Sequence, residues 1–340
     1  MGGNALKEYG VRRVDAATYD RIKADALNKL AVACTRMAVP YEMRDKEDYG
    51  DVDILCIIKP EYQANWRAWL QATFNPRAIL NNGNVWSVNI EDLQVDLITT
   101  SLENWGQYFC FLCWGDLSMT MGRISRLYDL KYGIYGLEMP IRDSETNHVT
   151  DTVTISKDPS KIFPFLGYDF KRWEQGFKTQ VELREFLFSS NRIHKGFLTS
   201  CSEASRHRKR DRNRAMFSSW LAWFEEHREE FPEEANLPIP KSIDEKIAYI
   251  EAAFPESNLR VQYDAAQKRI SDFTTARSKF SGKHIQDMFP ELQGRAFGAL
   301  MDLWTRQWAT KEEQVQYILH HNVEHLTNLA QEVRSRLVLT

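Results

Sequence analysis

GDVDILCII at residues 50–58 and LQVDLIT at residues 93–99 decide how this chain is read. Both runs are short, apolar and rich in β-branched residues, as strands are, and Lys59-Pro60 stops the first. Strand side chains alternate between two faces, so Asp51 and Asp53 present two carboxylates to one side. Gly50, just ahead of them, removes side-chain bulk where a ligand backbone or a phosphate could come close. Asp96 stands between apolar neighbours, where an uncompensated charge is costly. A pair of divalent cations would compensate it. Magnesium prefers carboxylate oxygens and often keeps substrate phosphate as a further ligand. Two such ions about 4 Å apart can activate an attacking hydroxyl and stabilise the leaving oxygen of an in-line phosphoryl displacement. The plainer alternative has Asp51 capping a turn and Asp96 facing solvent from a half-exposed strand.

Upstream of the first strand, residues 15–36 read as one amphipathic helix. Asp15 serves as N-cap, and Tyr19, Ile22, Ala26 and Leu30 recur at helical spacing until Pro40 breaks the pattern. Downstream, residues 61–74 return to helix, and NNGN at 81–84 is a turn between two short β segments. Residues 85–90 and 93–99 read as adjacent strands with Glu91-Asp92 between them. Residues 101–132 read as helical and 136–156 as a hairpin. From about 160 onward nearly everything reads as helix: 178–190, 203–229, 242–253, 258–278, 291–309 and 311–337. The stretch at 229–242 is the clearest linker, and Ser242 with Glu245 forms a capping box for the helix after it. The expected class is α+β, with an N-terminal domain over 1–160 and an all-α domain over 161–340.

The two quoted segments together resemble the DNA polymerase beta-type nucleotidyltransferase superfamily, over roughly residues 20–100. That family pairs a two-carboxylate strand with a later single carboxylate set between apolar residues. The resemblance implies a mixed β-sheet with flanking helices, Mg²⁺ (or Mn²⁺) as cofactor and a nucleoside triphosphate as substrate. It implies Asp51, Asp53 and Asp96 as the metal ligands, with Asp96 also helping to activate the acceptor hydroxyl. The family normally carries a Gly-Gly or Gly-Ser turn shortly before the carboxylates; PYEMRDKEDYG at 40–50 has no such pair. Arg44 and Lys46 are the candidates for phosphate contact there, together with Gly50, unless both cations simply sit on a solvated loop. Residues 280–308, with Gly282, Gly294 and Gly298, are similar to the helical segment after the catalytic core of tRNA CCA-adding enzymes. Among branches of the superfamily, those enzymes and the poly(A) polymerases are the nearest. The Arg-Arg-Asp nucleotide-selecting segment of the bacterial enzymes is not found.

RHRKRDRNR at 206–214 carries five Arg and one Lys against one Asp. Arg206, Arg210 and Arg214 fall on one side at i, i+4 spacing, with Lys209 beside them, and such a stripe suits a phosphate backbone. The alternative pairs it with acids such as EEHREE at 225–230. The chain as a whole is not basic: 44 Lys+Arg meet 47 Asp+Glu, a net charge of −3, which excludes a general nucleic-acid coat. Its longest unbroken apolar run, YFCFLCW at 108–114, is far short of the ~20 residues of a membrane helix. No signal peptide is recognised, and Leu6 breaks the myristoylation pattern, so a soluble intracellular protein is expected. Cys34, Cys56, Cys110, Cys113 and Cys201 read as packing residues, and His321–His325, an H-x-x-E-H match, as the polar face of the last helix. The expected function is a metal-dependent nucleotidyltransferase that moves a nucleoside monophosphate to a nucleic-acid 3′ hydroxyl, RNA preferred. Its alternatives are a transferase acting on a protein or small molecule, and an inactive nucleic-acid-binding relative.

Overall fold

A computed structural model of the 340-residue chain describes residues 5–143, 146–198, 214–236 and 239–337. Helix α1 (Ala16–Leu30) begins where expected, with the Asp15 carboxylate accepting from the Thr18 N–H at 2.8 Å. It ends earlier than its apolar spacing suggests. The chain leaves the helix after Leu30, and Cys34–Ala38 forms strand β1, antiparallel to β2 (Asp51–Ile58). Segments α2 (Pro60–Gln63) and α3 (Trp66–Phe74) follow, then β3 (Ile79–Asn82), β4 (Val85–Ile90) and β5 (Leu93–Thr99).

The five strands form one mixed sheet in the order β1-β2-β5-β4-β3, and only β2 and β5 run parallel. Alternation gives the sheet two different faces. On one, Val52, Ile54 and Cys56 of β2 and Leu93, Val95 and Leu97 of β5 pack with Tyr19, Ile22, Ala26 and Leu30 of α1 and with Trp66 and Leu70 of α3. On the other, Leu55 and Ile98 pack with Trp105 and Tyr108 of α4 (Trp105–Leu112). Asp51, Asp53 and Asp96 share that second face, Asp53 two residues before Leu55 on β2 and Asp96 two before Ile98 on β5. Each fully buried aliphatic side chain of this double core contributes about 1.5–3 kcal/mol, so the face assignment of β2 and β5 is strongly fixed.

The expected helix at 101–132 is two helices, α4 and α5 (Leu117–Ser125), followed by strand β6 (Lys131–Gly133). Trp114 and Gly115 take φ values of 63° and 64° between them, which no helix accommodates. Strands β6, β7 (Gly136–Arg142) and β8 (Val149–Ser156) make a second sheet. Helices α6 (Pro159–Phe165), α7 (Phe170–Glu174) and α8 (Gln180–Phe188) follow. Later helices span Ala215–Glu226, Ile243–Ala253, Leu259–Lys279, Gly282–Met288, Gly294–Thr305, Lys311–His320 and Val323–Ser335. The Ser242–Glu245 capping box is formed as expected. The expected single helix over 311–337 breaks at His321-Asn322, where Asn322 caps a new helix by accepting from the His325 N–H at 2.8 Å. H-x-x-E-H therefore does not lie on one helix face. Cys34, Cys56, Cys110 and Cys113 are buried free thiols, as expected of packing residues; Cys201 lies outside the described residues.

The chain packs as two compact units, 1–139 with 154–257, and 140–153 with 258–340. The helices between 159 and 253 thus belong with the five-stranded sheet, whereas the sequence reading grouped everything from 161 onward. The second unit has its own core, including Phe280, Ile285, Leu300, Trp304, Leu326 and Ala330. Among the described residues no helix is long and apolar enough to cross a membrane.

Candidate metal centre

The parallel pairing of β2 with β5 places Asp53 directly opposite Asp96 and Asp51 opposite Gln94. Asp51, Asp53 and Asp96 are each half-buried, and one carboxylate oxygen from each lies within 4.8 Å of the others. Two like charges at that spacing repel by roughly 3 kcal/mol at an effective dielectric of about 20, so something must offset the cluster. Burial first, then the neighbouring charges of Asp51, Asp96 and Glu42, hold the Asp53 carboxyl well above the usual carboxylate range, and Lys46 pulls it back. Burial also raises Asp96, against hydrogen bonds from Ser87 and Gln94 that favour its charged form, while Asp51 raises it further.

A row of polar side chains continues across the sheet on the same face. Ser87 of β4 lies opposite Asp96, and Asn89 lies opposite Gln94. Gln94 Nε2 donates to both Asp96 oxygens, at 3.0 and 2.9 Å. Ser87, Asn89 and Gln94 are all buried. This row was not singled out from sequence, although the alternation of LQVDLIT already puts Gln94 and Asp96 on one face. The donor set is oxygen only and anionic, the chemistry that suits a hard divalent cation such as Mg²⁺ or Mn²⁺ and not a thiolate- or imidazole-seeking metal. These three residues fit the implied cofactor.

The cations of the loop before β2 divide into two kinds. Arg44 is held in ion pairs, to Asp20 at 2.6 Å and to Glu42 at 3.1 Å. Lys46 makes no ion pair among the described residues; it is exposed, with its Nζ 5.7 Å from the centre of the Tyr49 ring. Gly50 is buried at the start of β2, just after Tyr49, whose backbone exchanges two 2.9 Å hydrogen bonds with Val14. Sequence reasoning passed over Glu42. Both its oxygens accept from the Tyr19 hydroxyl at 2.8 Å, and burial first, then this neighbouring carboxylate, pushes the Tyr19 phenol up.

Of the expected acceptor-binding residues, Arg206, Lys209 and Arg210 lie outside the described residues. Arg214 is described, and its guanidinium pairs with Asp116. Gly282 and Gly294 each open a helix, while Gly298 lies within one; all three belong to the second unit. No protein-family model matches this chain, and no curated protein matches it either.

Proposed function

We propose that this chain is a divalent-metal-dependent nucleotidyltransferase that moves a nucleoside monophosphate from a triphosphate to a nucleic-acid 3′ hydroxyl, RNA being the preferred acceptor. The observation that carries this reading is the meeting of Asp51, Asp53 and Asp96 from two parallel-paired strands. Asp51 and Asp53 would hold the cations, and Asp96 would share one of them. Bound there, Mg²⁺ or Mn²⁺ supplies charge neutralisation for the triphosphate and for the developing transition state. The acceptor oxygen attacks the α-phosphorus while the bond to the β-phosphate oxygen breaks, and pyrophosphate leaves with the electron pair. The hydroxyl proton passes to Asp96. Lys46, unlike Arg44, keeps its charge available for a phosphate oxygen.

A second reading has support in one feature. The loop at 40–50 holds no Gly-Gly or Gly-Ser turn, which favours a relative that binds nucleic acid without transferring nucleotides. Incubation with Mg²⁺, each labelled triphosphate in turn, and mixed RNA and DNA acceptors separates the two. Extension of the acceptor supports transfer to nucleic acid, and labelling of a protein or small molecule redirects the acceptor class. Binding without transfer supports the second reading. Transfer that survives intact in Asp53→Asn removes Asp53 from the reaction.

A further inference from the structure

We infer that Gln94 is a positioning residue for Asp96, and that the backbone of Leu6 fixes Gln94 in the one orientation that serves. The inference rests on the metal-centre reading above and concerns the hydrogen bonds that Asp96 receives from within the protein.

The Gln94 side chain, 2% exposed, bridges two groups that allow it no choice. Its Oε1 accepts from the Leu6 N–H at 3.0 Å, and its Nε2 donates to both oxygens of Asp96. A backbone N–H can only donate and an ionised carboxylate can only accept. Reversing the amide would set N–H against N–H at Leu6 and oxygen against oxygen at Asp96, so the flip is closed. Water cannot easily substitute, because Leu6 is fully buried.

Leu6 is in turn held by the segment that follows it. The segment after it closes a short turn, with the Tyr9 N–H donating to the Leu6 carbonyl at 2.8 Å. Asn89 Nδ2 donates to the Tyr9 carbonyl at 2.8 Å, and the Arg12 N–H donates to the Asp92 carbonyl at 2.7 Å. The chain from Leu6 to Arg12 is thus moored to β4 and to the turn before β5. The consequence is a relay: anchored backbone, then amide, then metal-binding carboxylate. Hydrogen-bonded partners behind a metal ligand typically set about 10–100-fold of its affinity.

The test titrates the full-length chain with Mn²⁺ alone, read by electron paramagnetic resonance or calorimetry, beside thermal unfolding without metal. Gln94→Met keeps the length of the side chain and removes all three of its hydrogen bonds, the one from Leu6 and the two to Asp96; Leu6→Pro removes the N–H. Leu6→Ala trims the buried side chain but keeps the N–H. We expect Gln94→Met and Leu6→Pro each to weaken Mn²⁺ binding about 10-fold or more, and Leu6→Ala to lower the unfolding midpoint with Mn²⁺ affinity unchanged. Wild-type affinity in Gln94→Met overturns the inference, as does a Leu6→Ala loss equal to that of Leu6→Pro, which would mark a purely structural role. Asp96→Asn distinguishes the two levels. If that variant binds Mn²⁺ like wild type, the metal-centre reading falls and this inference with it; if it loses Mn²⁺ while Gln94→Met does not, the inference alone falls.

Discussion

Asp53 and Asp96 are register partners on the only parallel strand pair of the five-stranded sheet, so their carboxylates face each other across one inter-strand gap. That pairing concentrates negative charge at a place that already costs solvation.

Removing one of those charges should relieve the fold. Without metal, Asp53→Asn is expected to raise the unfolding midpoint by about 2–4 °C, the equivalent of roughly 1 kcal/mol for a unit of this size. Differential scanning calorimetry in a chelating buffer reads this directly. A lowered midpoint would mean that the carboxylate is compensated within the protein itself.

Stability without metal should also respond to pH in the opposite sense to that of ordinary surface acids. The native carboxyls of Asp53 and Asp96 bind protons more tightly than they do in the unfolded chain, whose carboxylates titrate near 4. Above that value and up to the raised native values, the native state carries more protons, so stability falls as pH rises. Denaturant midpoints measured across this window should therefore decline with pH for the wild type. They should decline less for the Asp53→Asn/Asp96→Asn double variant.

Metal should reverse this cost. A cation bound by the native state alone at a concentration 100 times its Kd adds about 2.7 kcal/mol. Saturating Mn²⁺ is expected to raise the unfolding midpoint of the wild type and to leave the double variant unmoved, with excess chelator restoring the starting value.

Lys46→Ala should act on substrate and not on folding. The side chain is exposed and pairs with no acid among the described residues, so its loss should raise the KM for triphosphate several-fold with little change in the unfolding midpoint. Arg44→Ala should show the reverse pattern, because its guanidinium ties Asp20 to Glu42.

Away from the site, Gly136→Ala should be strongly destabilising. Gly136 has φ +113°, and a Cβ there would lie 2.1 Å from the Ser156 carbonyl oxygen. Backbone must move, and the β7–β8 pairing is where circular dichroism and proteolysis should register the damage.

The carboxylates were legible in the sequence because a strand's alternation is rigid: once GDVDILCII and LQVDLIT are strands, their polar positions can only gather on one face. Which strands neighbour one another is not local information, and the partnership of Asp96 with Asp53 became visible only through the sheet. Strand β1 was hidden because the helical spacing of Tyr19, Ile22, Ala26 and Leu30 runs smoothly into Cys34, and only pairing with β2 settles the switch. The break at Trp114-Gly115 was masked by the apolar run around it, which satisfies a buried helix and a buried turn equally well. Glu42 escaped notice since nothing in its own neighbourhood marks it, and Gln94 since its place on the face of Asp96 does not show what holds it; a Tyr hydroxyl from α1 and the backbone N–H of Leu6 give them meaning.

The division of the chain into units carries a practical consequence for anyone cutting it. The chain leaves the first unit within β7 and re-enters it within β8, so residues 140–153 pack with 258–340, and Asp151 pairs with Arg269 there. A fragment ending at Ser257 would keep residues 140–153 while discarding the 258–340 segment they pack with, so a cut there severs the second unit instead of separating it from the first.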